Sequence, residues 1–276
     1  MTSIQEDKKV SVVIPTIGRI ETLPAVITAV EFQTYNMIDE IIILDEAACP
    51  ISESYPVNQA LDVLSVSGID VKILRNRKRK GIGAARLLLA KEARNELILM
   101  IDDDVVLYPR CLEILVESLG LEYPWAVPHC FLVPKALELD GYIDWKVDPD
   151  NPEVLKWTQK YPWFIPYFRY STRVITQLEI AGTQSILIRK TRFLNSCSRL
   201  PELGNLPRED TYMTKKMGLG VFDSYAECLH YEHPSQVDRG NWGSSMFYRL
   251  HEAIKRDPDA FLGFIRKFDS SEKRNG

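Results

Sequence analysis

The sequence predicts an α/β fold built on a mainly parallel, Rossmann-like sheet, and three observations carry that prediction. Short apolar runs alternate with helix-spaced segments four times over roughly the first hundred residues, the rhythm of right-handed crossovers. The runs are β-branched and largely without polar alternation, as strands covered on both faces are. Two of them also end in acids: Ile41-Ile42-Ile43-Leu44 in Asp45-Glu46, and Leu97-Ile98-Leu99-Met100-Ile101 in Asp102-Asp103-Asp104. In open α/β sheets, ligands sit outside the carboxyl ends of strands.

In chain order, Val10–Pro15 reads as a buried strand stopped by proline. A helix over 21–33 follows, with Leu23, Val26, Ile27 and Val30 on one face. The second strand covers 40–44, and a helix covers 57–66 with Leu61 and Leu64 inward. Gly68 breaks the chain before a third strand at 71–74. Residues 81–94 are helical, with Ala84, Leu87, Leu88 and Lys91 at helix spacing, and lead into the acid-tipped strand. Beyond it the rhythm changes to a helix at 109–119 and a strand at 125–133. A proline- and aromatic-rich stretch then runs from 139 to 170. Two strands, 174–180 and 184–188, flank the turn Ala181-Gly182-Thr183. A helix through Met217 opens at Arg208-Glu209-Asp210, a strand candidate lies at 220–222, and two amphipathic helices occupy 242–255 and 257–268. No linker interrupts the chain, so one domain with an irregular second half is expected.

Composition excludes several classes. A net charge of −4 gives no reason to expect a nucleic-acid binder. No apolar run is long enough to span a bilayer, and residues 1–9 lack the apolar core of a signal peptide. The five cysteines are odd in number and scattered, which argues against a disulfide framework or zinc site and fits a reducing cytoplasm.

Chemistry concentrates at the acids. Three adjacent carboxylates repel one another and are costly to desolvate. The usual compensation is a hard cation, Mg²⁺ or Mn²⁺, shared with substrate phosphates; a solvated acidic turn is the plainer reading of the triplet alone. Residues 75–80 carry five cations in six positions and end at Gly81-Ile82-Gly83, which opens the helix bearing Arg86. Such a run is often only a solvated loop, but cations beside a helix N-terminus suit a diphosphate.

Together these segments resemble a family-two glycosyltransferase of the GT-A fold from residue 10 to about 233. The resemblance rests on Val-Ser-Val-Val-Ile-Pro-Thr at 10–16, Ile-Ile-Leu-Asp at 42–45 and Lys-Gly-Ile-Gly-Ala-Ala-Arg at 80–86. Ile-Asp-Asp-Asp at 101–104, Ala-Gly-Thr-Gln-Ser-Ile-Leu-Ile-Arg-Lys at 181–190 and Arg-Glu-Asp at 208–210 complete it. It implies a GT-A domain over 1–235, with 236–276 a helical extension packed on it. The implied activity is inverting, metal-dependent transfer of one sugar from a nucleotide-diphosphate sugar to an acceptor hydroxyl. The donor would be a UDP- or GDP-sugar, and the acceptor a sugar or a lipid-linked molecule.

The resemblance also implies roles. Pro15, Thr16, Asp45, Lys80, Arg86, Asp102 and Asp103 would line the donor nucleotide, and Gly182, Thr183 and Gln184 would face the sugars. Asp104 would hold Mg²⁺ or Mn²⁺, with Asp103 the alternative in a shifted register and otherwise a solvated second acid. His230 would return to the metal, His233 being the alternative. Asp210 would be the general base, with Glu209 beside it; both otherwise serve as helix-capping acids. Glu46-Ala47-Ala48-Cys49 replaces the family's usual Asp-Gly-Ser after Asp45. Gln236-Val237-Asp238-Arg239 lacks the following tryptophan of processive synthases, which points to a non-processive enzyme. A cytoplasmic location, with room for peripheral contact at the inner face of a membrane, completes the expectation. The rival readings are a nucleotidyltransferase, which would need a glycine-rich Arg-Lys signature where Thr16-Ile17-Gly18-Arg19 stands, and a catalytically silent sugar- or nucleotide-binding protein.

Overall fold

A computed structural model describes residues 8–79, 81–133, 173–200 and 209–231. The chain divides into two compact units, 1–131 with 173–230 and 132–172 with 231–276, and nearly every described residue belongs to the first. The helices expected at 242–255 and 257–268 and the aromatic stretch from Trp145 to Tyr170 lie outside the described residues.

The elements run β1 (Val10–Thr16), α1 (Leu23–Glu31), β2 (Ile38–Asp45), α2 (Tyr55–Val66), β3 (Asp70–Arg75), α3 (Ile82–Glu92) and β4 (Leu97–Ile101). They continue with β5 (Val105–Leu107), α4 (Cys111–Leu119), β6 (Trp125–Val133), β7 (Ile175–Leu178), β8 (Ser185–Arg189), α5 (Lys190–Ser196), α6 (Glu209–Met217) and β9 (Gly220–Tyr231). Strand order among the described residues is β3-β2-β1-β4-β8-β6-β9-β5, with β7 on β9.

The first four strands are parallel, as the alternation of strand and helix predicts. The second half of the sheet is antiparallel where β8 meets β4 and β6, and where β9 meets β5 and β7. The continuous apolar strands divide by alternation between two covered faces. Val10, Val12 and Ile14 join Ile41, Ile43, Leu99 and Ile101 in one core with Leu23, Ile27 and Val30 of α1 and Leu61 and Leu64 of α2. Val13, Ile42, Ile98 and Met100 are equally buried on the other side, where α3 packs against β1 and β2.

The two strands expected around Ala181-Gly182-Thr183 form, β7 lying on β9 and β8 on β4, and other expectations are corrected. The candidate at 220–222 is the start of a twelve-residue strand that reaches Tyr231 without a break. The buried face of α3 is Ala85, Arg86, Leu87, Leu89 and Ala90, leaving Leu88 and Lys91 exposed. Spacing alone missed this because an arginine, Arg86, lies on the buried face beside Leu87 and Leu89. β5 and α5 were too short to register as periodic patterns.

β9 is seated by a close backbone approach. A Cβ built on Gly220 would lie 2.0 Å from the Trp125 ring, which is fully buried and whose indole N–H donates to the Gly218 carbonyl at 2.7 Å. Gly220→Ala is therefore expected to cost about 1–3 kcal/mol through overpacking, at the upper end because the ring has no free space. Urea unfolding followed by circular dichroism reads the cost, and an unchanged midpoint would mean that the ring yields.

Candidate functional site

Parallel register brings the strand ends together. Thr16 at the end of β1 stands opposite Asp45 at the end of β2, and β4 delivers the acid triplet beside them. Pro15, one residue earlier, pairs with Leu44 within the ladder. From the other side, the pairing of Ile101 with Ser185 puts Gln184 opposite Asp102, whose N–H donates to the Gln184 carbonyl at 2.9 Å. The pairing of Val105 with His230 brings the imidazole to Asp104.

Each acid of the triplet has its own partner set. Asp102 accepts from Arg86 Nη2 at 3.1 Å, and that same nitrogen donates to the Thr183 carbonyl at 3.1 Å. Asp103 accepts from Thr16 Oγ1 and from Arg19 Nη1, both at 2.6 Å. Arg19 Nη1 also reaches Asp104 Oδ2 at 2.6 Å, and His230 Nε2 lies 3.3 Å from Asp104 Oδ1. Asp103 and Asp104 are buried, so neither is the solvated acid that sequence allowed.

Three carboxylates thus face Arg19, Arg86 and His230. Burial opposes the charge on His230, but Asp104 leads the interactions that hold its pKa up at about 9. Burial lifts Asp103 to about 6 against the pull of Arg19 and Thr16. Burial also raises Asp102 and Glu209, each opposed first by Arg86.

Glu209 opens α6 and lies 3.6 Å from Arg86 Nη1, so the acid pair connects to the triplet through one buried arginine. Asp210 Oδ1 accepts from the Thr211 N–H at 2.6 Å. The turn Gly182-Thr183-Gln184 adjoins the same cluster. Lys80 and His233 lie outside the described residues.

Asp45 behaves differently from its neighbours. One oxygen accepts from the Ala47 N–H at 2.9 Å and the other from the Ile51 N–H at 3.0 Å, while Arg75 pairs with it at 2.8 Å. Arg75 also donates to the Ala47 carbonyl at 2.6 Å, so it is a structural tie rather than a solvated cation. These bonds shape the loop after β2, which with Ile17, Gly18 and Ile20 walls a concavity of about 360 Å³. Ala47, Ala48, Cys49, Pro50, Glu53 and Ser54 complete its lining. Gly18 sits at φ +96°, and a Cβ there would meet that of Ala47 at 2.6 Å, so only glycine allows the two loops this approach.

Arg19 was missed at the sequence level. Its signal was a lone cation three residues past the end of β1, on the side of the sheet where the triplet ends. The Arg86–Glu209 link carried no sequence signal.

Asp104 supplies a carboxylate oxygen, the donor type that hard divalent cations take. His230 is buried with neither ring nitrogen in a hydrogen bond, and it faces a carboxylate oxygen. Carboxylate suits Mg²⁺ and Mn²⁺, while imidazole, once it has given up its proton, suits the later transition metals more. No group of three metal-ligating side chains stands assembled among the described residues, so phosphate oxygens would complete the coordination. No described helix is long and apolar enough to cross a membrane.

The model for Glycosyl transferase family 2 matches residues 11–170. GalNAc-T7, solved with UDP, GalNAc and Mn²⁺, superposes with a TM-score of 0.60 at 17% identity over 82% of this chain and 44% of that one. S. aureus TarS 1–349, in complex with UDP-GlcNAc, gives 0.55 at 12% identity over 82% and 59%. The chain therefore spans less than two thirds of either neighbour, and at these identities the likeness shows the fold. No curated protein matches the sequence.

Proposed function

This chain belongs to glycosyl transferase family 2, and from that premise we propose that it moves one sugar from a nucleotide-diphosphate sugar to an acceptor hydroxyl, with inversion and without processivity. The observation that carries the reading is the meeting of Asp102–Asp104, Arg86, His230 and Glu209 from separate elements at the carboxyl end of the parallel strands. Breaking the anomeric bond leaves charge on a diphosphate, so a transfer site needs cations where that charge develops. Arg86 has a buried Nη1 that makes no hydrogen bond and can donate to a phosphate oxygen. Asp104 and His230 would hold the divalent cation, which when bound supplies Lewis-acid stabilisation of the leaving diphosphate.

Thr16 and Pro15 would border the nucleobase, with the concavity beside Gly18 as its seat, and Asp45 would act by shaping that wall. Asp102 and Asp103 would face the ribose side. Lys80 is proposed as a second diphosphate cation. Gly182, Thr183 and Gln184 would flank the donor sugar and the acceptor. Asp210 would take the proton of the acceptor hydroxyl as its oxygen attacks the anomeric carbon, while Glu209 holds Arg86. The neighbours solved with UDP and UDP-GlcNAc support a UDP-sugar, and a GDP-sugar is the alternative. A sugar or lipid-linked acceptor is proposed, and residues 236–276 as a helical extension.

The test is calorimetric titration of the full chain with UDP and GDP, with and without Mn²⁺. Binding of one nucleotide, strengthened by Mn²⁺, is the expected result, and no binding of either would overturn the reading. In the same titration Arg86→Ala is expected to lose about 1–3 kcal/mol of nucleotide affinity, the scale of a charge-assisted hydrogen bond. Unchanged affinity would mean that the diphosphate lies elsewhere.

A further inference from the structure

Arg19 occupies the position that a cation would be expected to take at the acid triplet. One guanidinium nitrogen, Nη1, lies 2.6 Å from Asp103 Oδ1 and 2.6 Å from Asp104 Oδ2. The side chain is only 14% exposed, and it is delivered by the loop that Gly18 presses against Ala47. Thr22, three residues on, donates to the Asp103 carbonyl at 2.8 Å, which ties the same loop to the triplet a second time. This contact is built into the fold and does not arise from a surface side chain settling on the nearest acid.

We propose that Arg19 is a resident counter-cation that competes with the divalent ion for Asp104. The inference rests on the metal reading above and adds a constraint to it. A cation entering at Asp104 and His230 must draw Asp104 Oδ2 away from the guanidinium or share that carboxylate with it. Without nucleotide, Arg19 is left with Asp103 as its one remaining carboxylate among the described residues. A nucleotide diphosphate brings fresh phosphate oxygens, which can accept from a guanidinium as well as a carboxylate does. Metal affinity is therefore low in the free protein and rises when the nucleotide is bound.

The experiment is calorimetric titration of Mn²⁺ alone into the full chain and its variants, without nucleotide or turnover. Arg19→Met is expected to bind Mn²⁺ about ten- to a hundredfold tighter than wild type, the range of one charge-assisted hydrogen bond. Arg19→Lys, which keeps the charge but lacks the rigid fork, is expected to fall between the two. Arg79→Met removes a positive charge from the neighbouring loop, where Arg79 bonds the Glu46 carbonyl, and is expected to stay near wild type. Equal affinity in wild type and Arg19→Met, with Asp104→Asn silent, would overturn the competition while leaving the metal site intact. An equal gain in Arg79→Met would also overturn it, by reducing the effect to net charge. Silence of every form, even with UDP present, would overturn the metal reading and this inference with it. Circular dichroism of each variant confirms that the comparison is among folded proteins.

Discussion

Asp210→Asn is expected to lower turnover by about 10²–10⁴-fold, the range that general-base catalysis supplies, while leaving donor affinity nearly unchanged. Asparagine keeps the size of the side chain and its acceptor oxygen for the Thr211 N–H, but it cannot take a proton. It also caps a helix about as well as aspartate does. A purely structural Asp210 therefore forecasts near-normal chemistry, and a catalytic one forecasts a loss confined to the chemical step. The structure sharpens the contrast by engaging the other acid: Glu209 is paired with Arg86 at 3.6 Å and is not free to substitute. Single-turnover rates at saturating donor separate the alternatives, because a group needed only in the transition state shows its loss in kcat rather than in donor KM. Unimpaired single-turnover chemistry would remove Asp210 from the base role.

Asp104→Asn is expected to abolish Mn²⁺-dependent nucleotide binding and to cut turnover by about 10²–10⁴-fold, since Lewis-acid stabilisation of a leaving group contributes several kcal/mol. Asparagine is preferred to alanine for a reason visible only in the structure. Asp104 is fully buried between Arg19 and His230, and deleting the side chain would take the carboxylate from His230 and leave Arg19 with Asp103. Breaking a buried pair costs about 3–5 kcal/mol, enough to confuse unfolding with inactivity. His230 should also lose its main support as a cation, so its pKa is expected to fall from about 9 in this variant. NMR titration of the imidazole follows that fall, while calorimetry follows the metal. Wild-type Mn²⁺ binding in Asp104→Asn would move the ligand to another acid of the triplet.

The parallel half of the fold was legible because its strands are short apolar runs separated by helices of ordinary length. In the candidate site, chemistry-bearing residues named from sequence lie together at the strand ends: Asp102–Asp104 contact Thr16, Arg86 and His230. What sequence could not show depends on pairing between distant segments. That β8 runs antiparallel between β4 and β6 follows from no local pattern. Asp45 reads equally as a ligand or a loop acid, and only its bonds to Ala47 and Ile51 reveal the structural work it does. Arg19 stands outside every run and periodicity, so its position between two carboxylates becomes visible only once β1 and β4 lie side by side.

The unbroken course of β9 makes it a ruler. Gly220, wedged against Trp125, fixes its zero, and His230, ten residues on, is read off beside Asp104. Val221, Ala226 and Cys228 all join one core, so the alternation of faces shifts once between the two marks. Gaining or losing one residue between them would turn the imidazole to the opposite face. Gaining or losing two would restore the face but displace the ring by about 7 Å, beyond the reach of Asp104. The segment between the two marks is thus intolerant of any change in length, whatever side chains it carries.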